Sequence, residues 1–469
     1  MAGAIRPQNS EGSLRAIDAE LTAQVKGYAT EELHADLVGI ANIERFEHAP
    51  ARMSPQGIMP AARSVIAMAV HHPDACVEMG GMAHPQEMGP YRIQIPMNFR
   101  LDEMSYRMAL FLERGGRRAV PIAASNIWRY RGYKDLTAHF APDLSHRHVA
   151  VAAGLAEFGY SGLAITPEYG ARQRYVTVIT DAELTPSRLL EPGSVCDNCM
   201  LCAEHCMAAA LTKELDGWNV VKIEDKEYRY VKKNLWRCAW GEHFGLDLDL
   251  DIPDKVTEDV ILEAVKRLGT RGGAMGSCLR YCLPESRRRF DPEYTNAPRR
   301  KRDVHPGQSA AGRRLVELAR ACAARQGVDF LVVPPVEQLA AEGVDLKAFL
   351  PDAESVVSVG LSGAMATGEP SPGPAPAARN AAWVRDYVLV QAAYDIARLL
   401  EQHGHSAVTL TDFPESTLHK LLDGTKAGDG VRTRTVVTSA ALPPTGLRRP
   451  ASAPSPARSP QELRARIER

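Results

Sequence analysis

Long apolar runs are missing from this 469-residue chain. No uninterrupted stretch reaches the roughly 18 residues of a membrane-spanning helix, so no such span is expected. A surplus of either charge is missing too. Lysine plus arginine number 56 and aspartate plus glutamate 57, a formal net charge of −1, so nothing draws the molecule as a whole to nucleic acid, membrane or polyanionic partners. The opening residues, MAGAIRPQNSEGSLRAIDAE, contain neither the apolar core of a secretion signal nor a twin arginine, and a cytoplasmic location is expected. Cysteine is scarce over most of the chain. Seven of the nine lie between positions 196 and 282, with Cys76 and Cys322 apart. In a chain expected to stay in the cytoplasm, such clustering favours metal ligation over a disulfide framework.

What is present is, first, a repeated order of segments. DLVGIANIERF (36–46), MPAARSVIAMAV (59–70) and YRMALFLERGGRRAV (106–120) recur as DFLVVPPVEQL (329–339), LPDAESVVSVGL (350–361) and YDIARLLEQHGHSAV (394–408). The last pair aligns without a gap through Tyr106/Tyr394, Ala109/Ala397, Leu112/Leu400, Glu113/Glu401, Gly116/Gly404 and Val120/Val408. Each copy reads as a buried strand, an amphipathic helix ended by glycine, and another strand. Between the copies, SHRHVAVAAGLAEFG (145–159) predicts a helix, TPEYGARQR (166–174) a turn and YVTVITDAEL (175–184) a strand. SRRRFDPEYTNAPRRKRDVHPG (286–307) reads as a basic loop whose arginines form a solvated face. The Pro/Ser/Arg-rich tail from 441 is expected to be disordered.

The chemistry is carried by SVCDNCMLCAEHCMAAAL (194–211). Cys196, Cys199, Cys202 and Cys206 make C-x2-C-x2-C-x3-C, the iron–sulfur run in which the fourth cysteine serves the other cluster. By that crossed logic one cluster takes Cys196, Cys199, Cys202 and Cys282, and a second takes Cys206, Cys238 and Cys278. A zinc site is the alternative, although zinc sites pair their cysteines across a longer loop. Cys76 and Cys322 read as small core residues.

The segments MPAARSVIAMAV and HRHVAVAAGLAEFGYSGLAITPEYGARQRYVTVITDAEL, the first cysteine run, RCAW and CLRYCLPE follow one another in an order that resembles the corrinoid-dependent reductive dehalogenases and their relatives, the epoxyqueuosine reductases. The resemblance covers roughly residues 36–290. It implies an α/β (α+β) fold: a nitroreductase-like core, internally duplicated, with an inserted two-cluster ferredoxin-like module. The domains so implied are a corrinoid-binding core (1–185, first repeat 36–125), the iron–sulfur module (186–290), a basic linker (291–324), a second repeat (325–440) and the tail (441–469). The implied cofactors are two four-iron–four-sulfur clusters and cobalamin. The implied reaction is reductive cleavage of a carbon–halogen or related bond in a small molecule, with electrons from an external ferredoxin or flavin reductase.

By the same resemblance the proton donor lies among Tyr130, Tyr133, Asp135, His139, Asp143, His146 and His148, with Asp143 and Tyr133 foremost. Asp143 has a second reading, as the cap of the following helix. Arg172 resembles a family arginine near substrate and corrinoid, Gly170 a turn beside the macrocycle, and His146 a further cofactor contact. Two departures stand out. Met207 replaces the proline that usually follows the fourth cysteine, and Met275 stands where the family supplies another thiolate to the second cluster. That corner is then filled by the Met275 thioether, by water or another side chain, or not at all, leaving three irons. Two other functions remain: a tRNA-modifying reductase of the epoxyqueuosine kind, disfavoured by the absence of basic charge, and a non-catalytic iron–sulfur electron carrier.

Overall fold

The computed structural model describes residues 17–80, 90–126, 140–269, 276–302, 311–361, 376–410, 413 and 431–448. The chain divides into two compact units. The first holds the residues up to His71 together with Met97–Arg287; the second holds His72–Pro96 together with Arg288 onward. Among the described residues, no helix is long and apolar enough to cross a membrane.

The strands of the first unit are β1 (Leu37–Asn42), β2 (Ser64–His71), β3 (Ala119–Ile122), β4 (Glu157–Phe158), β5 (Ala164–Ile165), β6 (Gln173–Thr180), β7 (Leu215–Ile223) and β8 (Lys226–Lys233). Four of them form one antiparallel sheet in the order β1-β2-β6-β3. The central strand β2 reads SVIAMAVH and is buried at every position, as a strand covered on both faces must be. Ile66 on β2 pairs with Ile40 on one side and Val178 on the other.

The helix expected over 145–159 is shorter, running only His146–Ala152. Gly154 stops it with a left-handed φ of +71°, and the Leu155 N–H returns to the Ala150 carbonyl at 3.0 Å. Only glycine fits there, because a Cβ would stand 2.1 Å from the Arg188 carbonyl oxygen. The residues beyond become β4, paired with β5. Val149–Ala152 pack into the sheet core with Val65, Ala67 and Ile179. The hairpin β7–β8 has no counterpart in the sequence reading. Its Ile223 and Tyr228 join that same core, whereas Val231 packs with Cys202, Ala203 and Leu211, so the hairpin couples the cysteine segment to the sheet.

The second unit contains β9 (Arg288–Asp291), β10 (Thr295–Arg300), β11 (Phe330–Val333), β12 (Ser355–Leu361), β13 (Ala407–Leu410), β14 (Arg432–Thr438) and β15 (Thr445–Arg448). Its sheet is antiparallel, in the order β13-β14-β12-β11-β15. Read from β11, the order β11-β12-β14-β13 repeats β1-β2-β6-β3 strand for strand, with β15 added at the edge. In both sheets the third strand follows a long helix, Pro90–Arg114 or Pro376–Gln402, and a glycine at positive φ, Gly116 or Gly404. Leu112 and Leu400 are both fully buried. Tyr106 is exposed and Tyr394 buried, so that pair has parted in role.

Two expectations fail in this unit. Residues 441–448 are not disordered: Leu442 is buried and Thr445–Arg448 pairs with β11. The basic segment is not a solvated loop either, since β9 and β10 form a hairpin. Arg300 and Arg302 both contact the buried Asp74, at 2.9 and 3.1 Å, and Arg302 reaches Glu401 at 3.4 Å. Arg299 lies 3.5 Å from the buried Glu78 and 2.9 Å from Asp291. Three interior carboxylates need counterions, and these arginines supply them.

Candidate functional site

From β6 to the short helix Leu201–Glu204 the chain is irregular, and one residue holds it in place. Glu157 on β4 is 1% exposed, and its carboxylate accepts the backbone N–H groups of Gly193, Val195 (2.7 Å) and Cys196. Asn198 (φ +52°) and Met200 (φ +62°) then take left-handed turns. Cys196, Cys199 and Cys202 thereby line one small cavity. Cys282, which follows the helix Ser277–Tyr281, lines the same cavity, walled by Ile165, Val195, Leu283 and Pro284. The four cysteines grouped by the crossed spacing are thus brought together.

Gly170 and Arg172 serve this cavity from behind. The Ala171 N–H donates to the Cys282 carbonyl at 3.1 Å. Gly170 has φ +58°, and a Cβ on it would lie 2.4 Å from that carbonyl oxygen. Arg172 is fully buried and donates from Nη2 to the Arg280 carbonyl at 2.8 Å. The two residues assigned to a corrinoid therefore hold the backbone of 280–284. Arg172 is not a surface residue.

The second set also converges. Cys206 and Cys278 pack at the edge of the cluster made by Cys202, Ala203, Leu211 and Val231. Cys238 and Cys206 bear electrostatically on Cys278, as does Lys233. Lys233 ends β8 and donates from Nζ to the Ser161 carbonyl at 3.1 Å. Desolvation pulls its pKa down while Cys238, Cys278 and Cys206 push it up, with a net rise. Glu242 lies beside the same sulfurs, with burial pushing its carboxyl up and Lys233 and Arg174 pulling it back. Met275, Tyr130, Tyr133, Asp135 and His139 lie outside the described residues.

Without metal these thiols are poor nucleophiles. Burial pushes Cys202 up to about 11 and Cys278 to about 12, and raises Cys282 strongly. Metal loading must therefore displace protons from them. All nine cysteines are free. Cys76 and Cys322 are buried, Cys322 within the core of the second unit.

Asp143 is not the helix cap, since that position belongs to Ser145. The Asp143 backbone N–H donates to Asn126 Oδ1 at 3.0 Å. His146 is committed within the fold. Its Nε2 lies 2.9 Å from the Ala123 carbonyl, which only accepts, so Nε2 carries the proton and Nδ1 accepts from the Thr177 hydroxyl at 2.8 Å. Burial pushes its pKa down to about 4. Gly170, Arg172 and His146 each make contacts within the fold, while Arg172 Nε is buried without a hydrogen-bond partner among the described residues. Sequence reasoning missed Glu157, Lys233 and Glu242. Only Glu242 left a signal, four residues after Cys238 and hence on the same helical face.

No family model matches the chain. A tetrachloroethene reductive dehalogenase of Dehalobacter restrictus is 35% identical over 140 residues, 29% of this chain and 22% of that protein. The match spans about a fifth of that relative's length. Among solved structures, a catabolic reductive dehalogenase is 15% identical, covering 94% of this chain and 63% of that one, with a TM-score of 0.31. An epoxyqueuosine reductase from Streptococcus thermophilus is 17% identical, covering 41% and 54%, also at 0.31. Likeness at that score carries no weight for the fold, and the sequence match bears the relationship. Over that stretch of 140 residues the chain is similar in sequence to the reductive dehalogenases.

Proposed function

We propose that the chain is an iron–sulfur reductase of the reductive dehalogenase kind, built on an internally duplicated nitroreductase-like core with a two-cluster module in its first unit. The observation that carries this reading is the cavity lined by Cys196, Cys199, Cys202 and Cys282. Zinc sites pair their cysteines across a longer loop, whereas three consecutive C-x2 steps with Cys282 returning to them match the four corners of one cubane. Cys206, Cys238 and Cys278 would hold the second cluster. Such clusters supply single electrons. The duplication is supported by the shared strand order of the two sheets.

The substrate in this reading is a small organic halide and the electron donor an external ferredoxin or flavin reductase, in the cytoplasm. Cobalamin is the further cofactor that the family resemblance implies. A second reading is an electron-transfer protein that holds the clusters without a corrinoid. One experiment separates the two. The full chain is reconstituted anaerobically with iron and sulfide, incubated with cobalamin, desalted, and assayed for chloride release from a chlorinated alkene under a low-potential reductant. Retained corrinoid absorption with chloride release supports the dehalogenase. Iron–sulfur spectra with neither leave the electron carrier, and absent iron–sulfur spectra overturn both.

A further inference from the structure

The second cysteine set has three thiolates for a cluster that takes four ligands. The position at which the family resemblance would supply the fourth is occupied in sequence by Met275, a neutral and weak thioether donor. The structure places a carboxylate at this site. Cys238 and Glu242 stand four residues apart in the helix Leu235–Glu242, so their side chains leave the same face one turn apart. Gly276 marks where that face meets the third cysteine. The ideal Cβ position on Gly276 is 3.2 Å from Cys278 Sγ and 3.6 Å from Glu242 Cγ. A side chain there would intrude between the two, and glycine keeps the space clear. Among the described residues, no hydrogen bond or ion pair occupies the Glu242 carboxylate, although Lys233 and Arg174 bear on it electrostatically. A carboxylate that no protein group holds, close to the Cys238 and Cys278 sulfurs, has its lone pairs available to a metal.

We propose that Glu242 is the fourth ligand of the second cluster, its carboxylate oxygen bonded to the iron that Cys206, Cys238 and Cys278 leave open. The inference rests on the two-cluster reading above. A carboxylate brings the same single negative charge as a thiolate, so the cluster keeps the charge of an all-cysteine cubane, as the Met275 thioether would not. Oxygen is a harder donor than sulfur and holds its corner less firmly, which makes this iron the first to leave under mild oxidation. Lys233 stands by as a fixed cation whose Nζ is tied to the Ser161 carbonyl, and it compensates the ligands' charge without competing for iron.

The test uses the full chain reconstituted anaerobically with iron and sulfide, with iron counted and electron paramagnetic resonance recorded before and after mild oxidation. Wild type is expected to hold about eight irons, Glu242→Gln about seven with a three-iron signal, and Glu242→Cys about eight again as a thiolate takes the corner. Asp247→Asn, on a nearby carboxylate outside the set, should behave as wild type. If Glu242→Gln keeps eight irons and an unchanged spectrum, the ligand is not Glu242 and the two-cluster reading stands without it. If Glu242→Cys fails to restore the lost iron, the loss is not at the ligand corner, and the proposal is again overturned. If wild type binds no more than about four irons, the second cluster and its proposed ligand fall together.

Discussion

At the residue scale, several groups have duties their own chemistry does not announce. Glu157 binds no metal in this arrangement; it collects three backbone N–H groups and so shapes the loop that presents Cys196. Hydrogen bonds to a charged acceptor are worth about 1.5–3 kcal/mol each. Glu157→Leu should therefore destabilise the first unit by several kcal/mol and leave the first cluster unloaded, read as about four irons fewer after reconstitution. Retention of full iron would show the loop shaped by other contacts. His146 offers a test of pH dependence. Its folded pKa, about 4, lies below the ordinary value of 6.5. Its neutral form is the native one, so its contribution is complete above about pH 6.5 and is lost as pH falls through about 4. Glu401, pushed up by burial and pulled back by Arg302, acts in the opposite sense, so wild type must be compared with a variant. Denaturant unfolding at pH 4.5 and pH 7 should show a smaller pH dependence in His146→Gln. An unchanged difference would remove His146 as its source.

At the element scale, a few local devices decide where segments end and what they carry. Gly154 ends its helix after Ala152 because its αL conformation and its contact with the Arg188 carbonyl exclude any side chain. Gly170 is constrained in the same way by the Cys282 carbonyl. Gly170→Ala should displace the 280–284 segment, cost about 1–2 kcal/mol from the backbone conformation alone, and loosen the first cluster, visible as faster iron loss to a chelator. Wild-type loss rates would show that the segment can yield. The hairpin β9–β10 delivers three arginines to buried carboxylates. Arg302→Met should destabilise the second unit by roughly 3–5 kcal/mol, because Asp74 and Glu401 are left with too little counter-charge. A shift in unfolding midpoint equivalent to less than 1 kcal/mol would mean Arg300 suffices alone.

At the scale of the whole molecule, all seven clustered cysteines belong to the first unit, while Cys76 and Cys322 belong to the second. Metal loading should therefore register in one unit only. Hydrogen exchange of apo and reconstituted protein is expected to differ in the amides of residues 193–211 and 277–284, with β11, β12 and β14 equally protected in both. A loss of protection in those strands on metal removal would contradict this assignment. The sheets share a strand order but differ in what they carry: the first adds the cysteine segment after β6, the second adds β15 at its edge.

Much of this was legible in the sequence because it is local. The run SVIAMAVH announces a strand buried on both faces, the glycines at 116 and 404 announce helix ends, and C-x2-C-x2-C-x3-C announces its chemistry within eleven residues. Even the return of Cys282 to the first three cysteines was legible, because a cubane demands a fourth ligand and the spacing rule says where it comes from. The rest depended on partners remote in the chain. Whether an arginine-rich stretch is solvated depends on whether carboxylates await it. Asp74 and Glu401 lie 228 and 99 positions from Arg302, so no local pattern shows that its charge is buried. The same holds for Arg172 and Gly170, whose roles follow from the approach of 280–284 and not from their own turn. Glu242 stands between these cases. Its spacing from Cys238 is local and visible, but its nearness to Cys278, across a gap of 36 residues, is decided by tertiary packing, because only the folded chain brings the two helices to the same side of Gly276.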